Sequence, residues 1–496
     1  MNRRIRWLGL VFLACFGVLF IQLNNWQIRQ SATLTSKAHA AAPQVDIFNQ
    51  QRGLVLTTND LVIANSTEKG SQWTRVYPYG QLFADITGYF DPTAGSIQYG
   101  VESQYNSYLE MHESPVTTLA DLLTQHEETN DIVTTIRSQL QATASKALAG
   151  KVGGVIALDP QTGAIFAMFS NPTYNPNKLA TSNAAAAAAY FNSLHPNSVS
   201  SPLVNGVTRY TYFPGSTFKL IDTAAIYDHD RSLINHVWPD ESSWVITGTG
   251  VTSHNYGGEP CGGYPLPQIL AYSCDTSFER VGVLLGAQNL VTEAQAFGFN
   301  SVPPIDLPDA AASVVPPTSQ IAYPAETAFT AIGQQDDEAT VLQMALVASA
   351  MADNGEIMTP HVLDYVLNQQ GQLVYKYKPS PWRRATSVAT ADQVRKLMLG
   401  PTSYGTLAAV LSPGLLPDGL KVAGKTGTSQ PNNSLCGSND WVTAFAPAGP
   451  GQTPSIVVTA VVSNANAPQT GCSDTTGAEV AGPIVRTVML AALGLG

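Results

Sequence analysis

The sequence predicts an α+β protein with an N-terminal transmembrane helix, a small β-rich module and a larger domain in which helices cover an antiparallel sheet. Three observations support this prediction. An apolar run of membrane-spanning length opens the chain, and short alternating segments follow from residue 44 to about 125. Beyond residue 131, strand-like segments at both ends enclose long helical patterns.

The first predicted element is a membrane anchor. Three arginines within the first six residues precede Trp7 to Leu23, a run of 17 residues in which Gln22 is the only polar side chain. Such a run is just long enough to cross a bilayer, and the preceding positive charge predicts a cytoplasmic N-terminus. The alternative is a cleaved signal peptide, because Ala38-His39-Ala40 has the A-x-A pattern. That pattern lies 15 residues beyond the run, which favours a single-pass anchor over residues 1–26 and a polar stalk over 27–43.

The composition excludes several classes of partner. The chain has 496 residues and a formal net charge of −11, and the part beyond the anchor is long enough for two domains. No basic patch is present to release counterions from phosphates, so nucleic acid is not expected to bind. The anchor predicts that both domains lie outside the cytoplasm, where ATP is scarce.

Cysteine usage is typical of an oxidising compartment. Beyond the membrane run the chain has an even number of cysteines, which are Cys261, Cys274, Cys436 and Cys472. Four cysteines allow three pairings, and closeness in sequence favours Cys261 with Cys274 and Cys436 with Cys472. Four buried free thiols are the alternative. No C-x-x-C or H-E-x-x-H spacing occurs, so no metal site is expected.

Most elements of the two domains can be placed from periodicity. In the first module, Arg52 to Ser66 predicts a hairpin that turns at Thr-Asn-Asp. A helical pattern is expected from about residue 131, and Gly153 to Ser170 predicts a second hairpin that turns at Asp-Pro-Gln-Thr-Gly. Six alanines at 184–189 predict a surface helix. The later segments predict a long helix ending near Gly355, three strands and a closing helix.

The segment GLKVAGKTGTS, Gly419 to Ser429, matches the G-x-x-x-x-G-K-[ST] pattern of phosphate-binding loops. Such a loop needs a helix that begins at its Lys-Thr pair. Here Gly, Pro and two Asn follow Thr426 within seven residues, whereas the apolar residues before Lys425 favour a strand. The lysine is therefore predicted on a strand, and ATP is not expected as a ligand.

An S-x-x-K motif lies upstream, from Ser216 to Lys219. A Pro-Gly pair precedes it and apolar residues then recur at helical spacing, so Ser216 is expected at a helix start with Lys219 one turn later. A lysine beside a serine can act as its base when burial and a second cation, here Lys425, lower the lysine pKa. Two observations weaken the motif alone: Ser66 to Lys69 matches it within a predicted strand, and Ser216 could simply cap a helix.

A third motif, Ser273-Cys274-Asp275, lies 57 residues after Ser216. The order S-x-x-K, S-x-N and K-T-G is that of the penicillin-recognising serine acyltransferases, which this chain resembles. Over almost its whole length it resembles the class B penicillin-binding proteins of the penicillin-binding protein A type. Further segments that carry the resemblance are RVYPYGQLFADITGYF, YGVESQYNSYL, VIALDPQTGAIFAMFSNPTYNPN, YFPGSTFK and WVTAFAP.

The resemblance implies a pedestal, or dimerisation-like, domain at 44–125 and a transpeptidase domain of serine β-lactamase-like fold at 131–496. It implies a membrane-anchored D,D-transpeptidase with its catalytic domain outside the cytoplasm, which cross-links peptidoglycan without polymerising it and uses no cofactor. The implied partners are stem peptides ending in D-Ala-D-Ala, β-lactams as inhibitors and a membrane glycosyltransferase.

The resemblance also implies a role for each residue of the motifs. The implied catalytic residues are Ser216, Lys219, Ser273, Asp275 and Lys425, and the implied substrate-binding residues are Thr426, Gly427 and Thr428. Ser216 is expected to attack the substrate carbonyl with Lys219 as base, while the N–H groups of Ser216 and Thr428 form the oxyanion hole. Gly427, which lacks a side chain, is expected to let substrate lie close along its strand.

Asp275 departs from the family pattern, which has Asn at this position. An ionised carboxylate can only accept hydrogen bonds, whereas the amide of Asn can donate to a substrate carbonyl. Either Asp275 binds a lysine and the donor role is lost, or an acidic exterior keeps it protonated; an altered pH dependence is expected. The alternative functions are a D,D-carboxypeptidase or β-lactamase-like hydrolase and a weakly active scaffold of the wall-synthesis machinery.

Overall fold

The structure, a computed structural model, describes residues 7, 16, 49–113, 127–308, 310–430, 437–464 and 475–496. Cys436, Cys472, the predicted stalk and, apart from Trp7 and Phe16, the predicted anchor lie outside these residues. Within the ranges described, no helix combines the length and the apolar character needed to cross a membrane.

The strands are numbered in chain order. They are β1 (Val55–Leu56), β2 (Val62–Lys69), β3 (Gln72–Val76), β4 (Tyr89–Asp91), β5 (Ser96–Gln98), β6 (His112–Glu113), β7 (Glu127–Glu128), β8 (Asp131–Thr134), β9 (Gly153–Leu158), β10 (Ile165–Asn171), β11 (Ser243–Val245), β12 (Thr252–His254), β13 (Glu356–Met358), β14 (Leu363–Leu367), β15 (Leu373–Lys376), β16 (Pro381–Arg384), β17 (Ala423–Ser429), β18 (Asn439–Ala446) and β19 (Ile456–Ser463).

The α-helices are numbered in the same way. They are α1 (Ala84–Thr87), α2 (Gly100–Gln104), α3 (Asn106–Leu109), α4 (Ser138–Ala147), α5 (Ala184–Ser193), α6 (Lys219–His229), α7 (Leu266–Tyr272), α8 (Asp275–Ala296), α9 (Pro324–Ala331), α10 (Val341–Ala352), α11 (Val388–Leu397), α12 (Leu399–Ser403), α13 (Ala408–Leu411) and α14 (Gly477–Ala492).

The first sheet has the strand order β15-β14-β8-β1-β2-β3. The predicted hairpin is present as β1 and β2, with Val55 opposite Ala64. The helical interpretation of the segment that begins at residue 131 is wrong for its first residues, because β8 pairs in parallel with β1 and antiparallel with β14. Ile132 and Val133 are buried in this sheet, and β-branched side chains suit a pleated surface. The helix begins only at Ser138.

The second sheet has the strand order β10-β9-β19-β18-β17, and every neighbouring pair is antiparallel. The predicted hairpin is β9 and β10, and the three predicted late strands are β17, β18 and β19. Helices cover both faces: α4 and α14 pack on one, and α10 packs on the other. Alternate residues of β9, such as Val155 and Ile156, accordingly enter different hydrophobic cores. The predicted antiparallel sheet between helices is confirmed.

Hydrogen bonds that are buried or partly buried join the region of the first sheet to the rest of the chain. Asp85 accepts from the backbone N–H and the hydroxyl of Ser170 in β10, at 2.7 and 2.9 Å. The Tyr105 hydroxyl donates to Asp306 at 2.6 Å. Because these groups are withdrawn from water, separating the regions would leave polar atoms without partners.

β17 lies at the edge of the second sheet, against the turn that leads into α6. The carbonyl of Phe213 accepts from the Ser429 hydroxyl at 2.7 Å and from the Trp441 indole N–H at 2.9 Å. Gly427 leaves no room for a side chain, since a Cβ there would lie 2.7 Å from the Pro214 carbonyl oxygen. The K-T-G segment and the S-x-x-K segment are therefore packed side by side.

Candidate active site

Ser216 lies in a 3₁₀ turn, Gly215–Thr217, that leads directly into α6. Gly215 has φ +54°, and a Cβ there would approach the Thr428 carbonyl oxygen to 2.9 Å, so the turn requires glycine. Lys219 begins the helix one turn later, as the sequence predicts. Ser216 keeps 9% of its surface exposed and Lys219 none, so the serine retains slight access to solvent and the lysine has none.

Asp275 binds both residues of the S-x-x-K pair. Its Oδ1 accepts from Lys219 Nζ at 2.5 Å and from the Ser216 hydroxyl at 3.4 Å. In the part of the chain that the structure describes, no hydrogen bond joins Ser216 to Lys219 directly. Of the two alternatives for Asp275, the structure has the one in which it binds a lysine.

Ser273 connects the two lysines. Its hydroxyl oxygen lies 2.7 Å from Lys425 Nζ and 3.4 Å from Lys219 Nζ. Lys425 is fully buried, and burial, together with the charge of Lys219, holds its pKa well below the ordinary value, although Asp275 opposes the shift. Because Lys425 Nζ donates to the Ser273 hydroxyl, the two groups are placed to exchange a proton.

The S-x-N box lies at the junction of two helices. Ser273 ends α7 in the left-handed conformation, with φ +63°, and α8 begins at Asp275. A disulfide joins Cys261 to Cys274, with Cα atoms 5.3 Å apart; this is the pairing that closeness in sequence favoured. It therefore fixes the residue between Ser273 and Asp275.

The K-T-G residues lie on β17, and the strand continues to Ser429 without a helix beginning at Lys425. The phosphate-loop interpretation is thereby excluded. The Thr428 hydroxyl accepts the N–H of Gly477 at 3.2 Å, and Thr426 remains 7% exposed. Both threonines thus belong to the edge strand that packs against the turn carrying Ser216.

Two residues of the site were missed from the sequence. The Thr406 hydroxyl lies 2.9 Å from the Thr426 hydroxyl, and the backbone N–H of Tyr256 donates to Asp275 Oδ2 at 3.3 Å. Both lie in irregular segments outside the three motifs, where neither spacing nor residue type distinguishes them. Among the residues described, no group of three or more His, Cys, Asp or Glu side chains is arranged to hold a metal ion.

Comparison with known proteins agrees with this geometry. Residues 153–490 match the family model of the penicillin binding protein transpeptidase domain, and residues 52–133 match that of the penicillin binding protein A dimerisation domain. The peptidoglycan D,D-transpeptidases PbpA of Mycolicibacterium smegmatis and Mycobacterium tuberculosis are each 30% identical to this chain, over 99% of both chains.

Solved structures give the same result. The imipenem acyl-enzyme complex of penicillin-binding protein A from M. tuberculosis superposes with a TM-score of 0.79 at 30% identity, covering 90% of this chain and 100% of that one. Its complex with penicillin G gives a TM-score of 0.77 over 90% of this chain. The chain with these two matched domains and this serine–lysine site belongs to the penicillin-binding protein transpeptidase family.

Proposed function

We propose that this protein is a peptidoglycan D,D-transpeptidase that forms an acyl-enzyme on Ser216, both with donor stem peptides and with β-lactams. The observation that carries the proposal is the continuous network from Ser216 through Asp275, Lys219 and Ser273 to Lys425. The names of the PbpA relatives and the β-lactam acyl-enzyme complexes of the M. tuberculosis protein support it.

In the first step Ser216 Oγ attacks the carbonyl of the penultimate D-Ala. Lys219 acts as the base, and the proton passes from the serine hydroxyl by way of the shared Asp275 oxygen. The N–H groups of Ser216 and Thr428 stabilise the tetrahedral oxyanion. As the C–N bond breaks, Ser273 protonates the departing D-Ala amine and is itself reprotonated by a neighbouring lysine.

In the second step an amine of a neighbouring stem peptide attacks the acyl-enzyme and releases Ser216. Lys425, Thr426 and Thr428 bind the donor carboxylate before it leaves. The donor would lie along β17 as an added strand. Gly427 supports this arrangement by letting β17 pack against Pro214, since a Cβ there would lie 2.7 Å from the Pro214 carbonyl oxygen. A β-lactam completes only the first step, because its leaving group stays attached and excludes the acceptor.

The proposal includes a single-pass anchor at residues 1–26, with the N-terminus in the cytoplasm and the domains at 44–125 and 131–496 outside. Three N-terminal arginines followed by an apolar run support this topology. A membrane glycosyltransferase that supplies uncross-linked glycan strands would then be the partner, because cross-linking needs such strands as substrate.

Labelling with a fluorescent penicillin tests the proposal directly. The full chain is expected to become covalently labelled, and Ser216→Ala is expected to abolish labelling because no hydroxyl remains to be acylated. Ser66→Ala is the matched control, since Ser66 heads the other S-x-x-K sequence but lies on β2. Absence of label on the wild-type chain, or persistence of label on Ser216→Ala, would contradict the proposal.

A further inference from the structure

Two carboxyl groups are buried behind the catalytic turn. Asp222 lies on α6 one turn after Lys219, and Asp337 lies between α9 and α10. Neither side chain is exposed. None of their four carboxyl oxygens has a hydrogen-bond partner among the described residues. An ionised carboxylate without partners is very costly in such surroundings, so both groups are expected to hold protons near neutral pH.

Asp222 interacts electrostatically with Lys219 on one side and with Asp337 on the other. Burial raises the pKa of Asp222 well above its ordinary value, the charge of Lys219 opposes this, and Glu293 adds to it. Burial likewise raises the pKa of Asp337, and the charges of Asp222 and Asp336 raise it further. The charge of Lys219 therefore acts on Asp222, and the charge of Asp222 acts in turn on Asp337.

The segment that carries Asp337 also holds the nucleophile in place. The N–H of Gly215 donates to the carbonyl of Gly333 at 2.9 Å, and Tyr212 and Ala339 exchange hydrogen bonds of 2.9 and 2.8 Å. Gly333 has φ +67°, and a Cβ there would lie 2.2 Å from the Gly215 carbonyl oxygen. Both buried acids therefore lie on the two elements that fix Ser216 and Lys219.

We propose that Asp222 is a positioning residue for acylation, which sets the strength of Lys219 as a base through its own protonation state. Protonated Asp222 leaves Lys219 with the hydrogen-bonded Asp275 as its counter-ion. Ionised Asp222 adds a second negative charge one helical turn away, which stabilises the ammonium form of Lys219 and weakens it as a base. The inference rests on the proposed role of Lys219.

The other charged groups near Asp222 and Asp337 determine which control variant is suitable. The groups that act on Lys219 are Asp275 and Glu279 of α8 and Lys425 of β17, and those that act on Asp222 and Asp337 are Glu293 of α8 and Asp336. Asp336 is exposed and adjoins Asp337 in sequence. Asp336→Asn therefore removes a carboxylate from the same segment and leaves both buried carboxyl groups, Asp222 and Asp337, unchanged.

The test is the second-order rate of acylation by a fluorescent penicillin between pH 5 and 9, measured on the full chain. Asn has nearly the shape of a protonated Asp but cannot ionise, so Asp222→Asn is expected to match wild type at the acid end. As pH rises and Asp222 ionises the profiles should diverge, with the variant roughly three- to tenfold faster once Asp222 is ionised, because a nearby charge shifts a pKa by about a unit or more. Asp336→Asn should follow wild type throughout.

Asp337→Asn shows whether a change in acylation comes from the charge of Asp222 acting on Lys219 or from the loss of a buried carboxyl group in general. This variant keeps Asp222 ionisable, so its acylation profile should resemble wild type. Both buried Asp→Asn variants should melt at higher temperature than wild type as pH rises from 4 to 8, because a carboxyl with a raised pKa loses its contribution to stability over that range. Asp222→Thr, whose hydroxyl can bond to the Phe218 carbonyl within the helix, replaces Asp222→Asn if the latter does not fold.

Each outcome decides the question. Coincident profiles for wild type and both neutral variants of Asp222 would overturn the inference, as would an Asp337→Asn profile that diverges like that of Asp222→Asn. Labelling of Ser216→Ala in the same assay would instead overturn the proposed function. Ser216-dependent labelling with coincident profiles would overturn this inference alone.

Discussion

At the scale of single residues, Asp275 is the most consequential departure from the family pattern. Its Oδ1 contacts both Ser216 and Lys219, so the resting enzyme has a carboxylate where an amide is usual. An amide cannot accept a charge-assisted bond of equal strength from Lys219, and it offers an N–H donor to the substrate.

Asp275→Asn is therefore expected to shift the rising limb of the acylation rate toward lower pH. The charge of Asp275 raises the pKa of Lys425, so its removal destabilises the ammonium form of that lysine and lowers its pKa further. The measurement is the acylation rate from pH 5 to 9. Identical profiles for the variant and wild type would exclude a role of this carboxylate in setting the base.

The sequence revealed the residues that belong to motifs and missed those that do not. Ser216, Lys219 and Lys425 could be predicted because they belong to the S-x-x-K and K-T-G motifs, in which the residues have a fixed spacing within one helix or strand. Tyr256 contributes a backbone N–H, which any residue type supplies. Asp222 was visible as an acid within an apolar helical pattern. Only the structure shows that neither of its carboxyl oxygens has a hydrogen-bond partner among the residues described.

At the scale of elements, the junction of α7 and α8 determines where Ser273 lies. Ser273 is in the left-handed conformation and the adjacent Cys274 is fixed to Cys261. The disulfide closes a short loop, with a sequence separation of 13 residues.

Replacing both cysteines by serine is expected to lower the free energy of unfolding by about 3 kcal/mol, the loop-closure estimate for a loop of this size. Acylation should also slow, since the S-x-N box would lose one of its attachments. Urea denaturation and the penicillin-acylation rate measure the two effects, and wild type treated with reductant is the control. Unchanged denaturation midpoints in both samples would contradict the expectation.

Elements were predictable where local pattern and tertiary environment agree. The hairpin of β9 and β10 and the helix α10 follow directly from turn chemistry and apolar spacing. β8 was missed because its residues precede a helical pattern, while its partners β1 and β14 lie far away in sequence. A strand whose pairing is entirely non-local leaves only a short β-branched run as its signal.

At the scale of the whole molecule, a buried network of charged side chains stabilises the first module, which contains β1, β2 and β3. Glu102 is fully buried and accepts from Arg52 at 2.9 Å and Arg75 at 2.5 Å. Burial raises the pKa of Glu102, but the charges of Arg75 and Arg52 outweigh it and hold that pKa below the ordinary value. The network therefore contributes stability at neutral pH that is lost as pH falls through the depressed pKa.

Glu102→Gln is expected to reduce the free energy of unfolding by about 3–5 kcal/mol, because it leaves two buried guanidinium groups without a counter-ion. The acylation rate of the remaining folded protein should stay near that of wild type, since the network joins Glu102 to Arg52 and Arg75 in the first module and not to the residues of the site. Thermal denaturation and penicillin labelling distinguish the two effects. Glu68→Gln, at an exposed position of β2, is the matched control, and an equal loss of stability in both variants would contradict the prediction.

The strands of the first sheet come from distant parts of the chain, and this has a consequence for biosynthesis. β1, β2 and β3 end at Val76, whereas β14, which pairs with the outer side of β8, is not complete until Leu367 is translated. Until then the outer side of β8 is an unpaired edge, the kind of surface that recruits strands from other chains. A nascent chain would need about 230 further residues after β8 before that edge closes. We therefore expect a fragment that ends near residue 135 to aggregate, and a holding chaperone to be most useful during this interval.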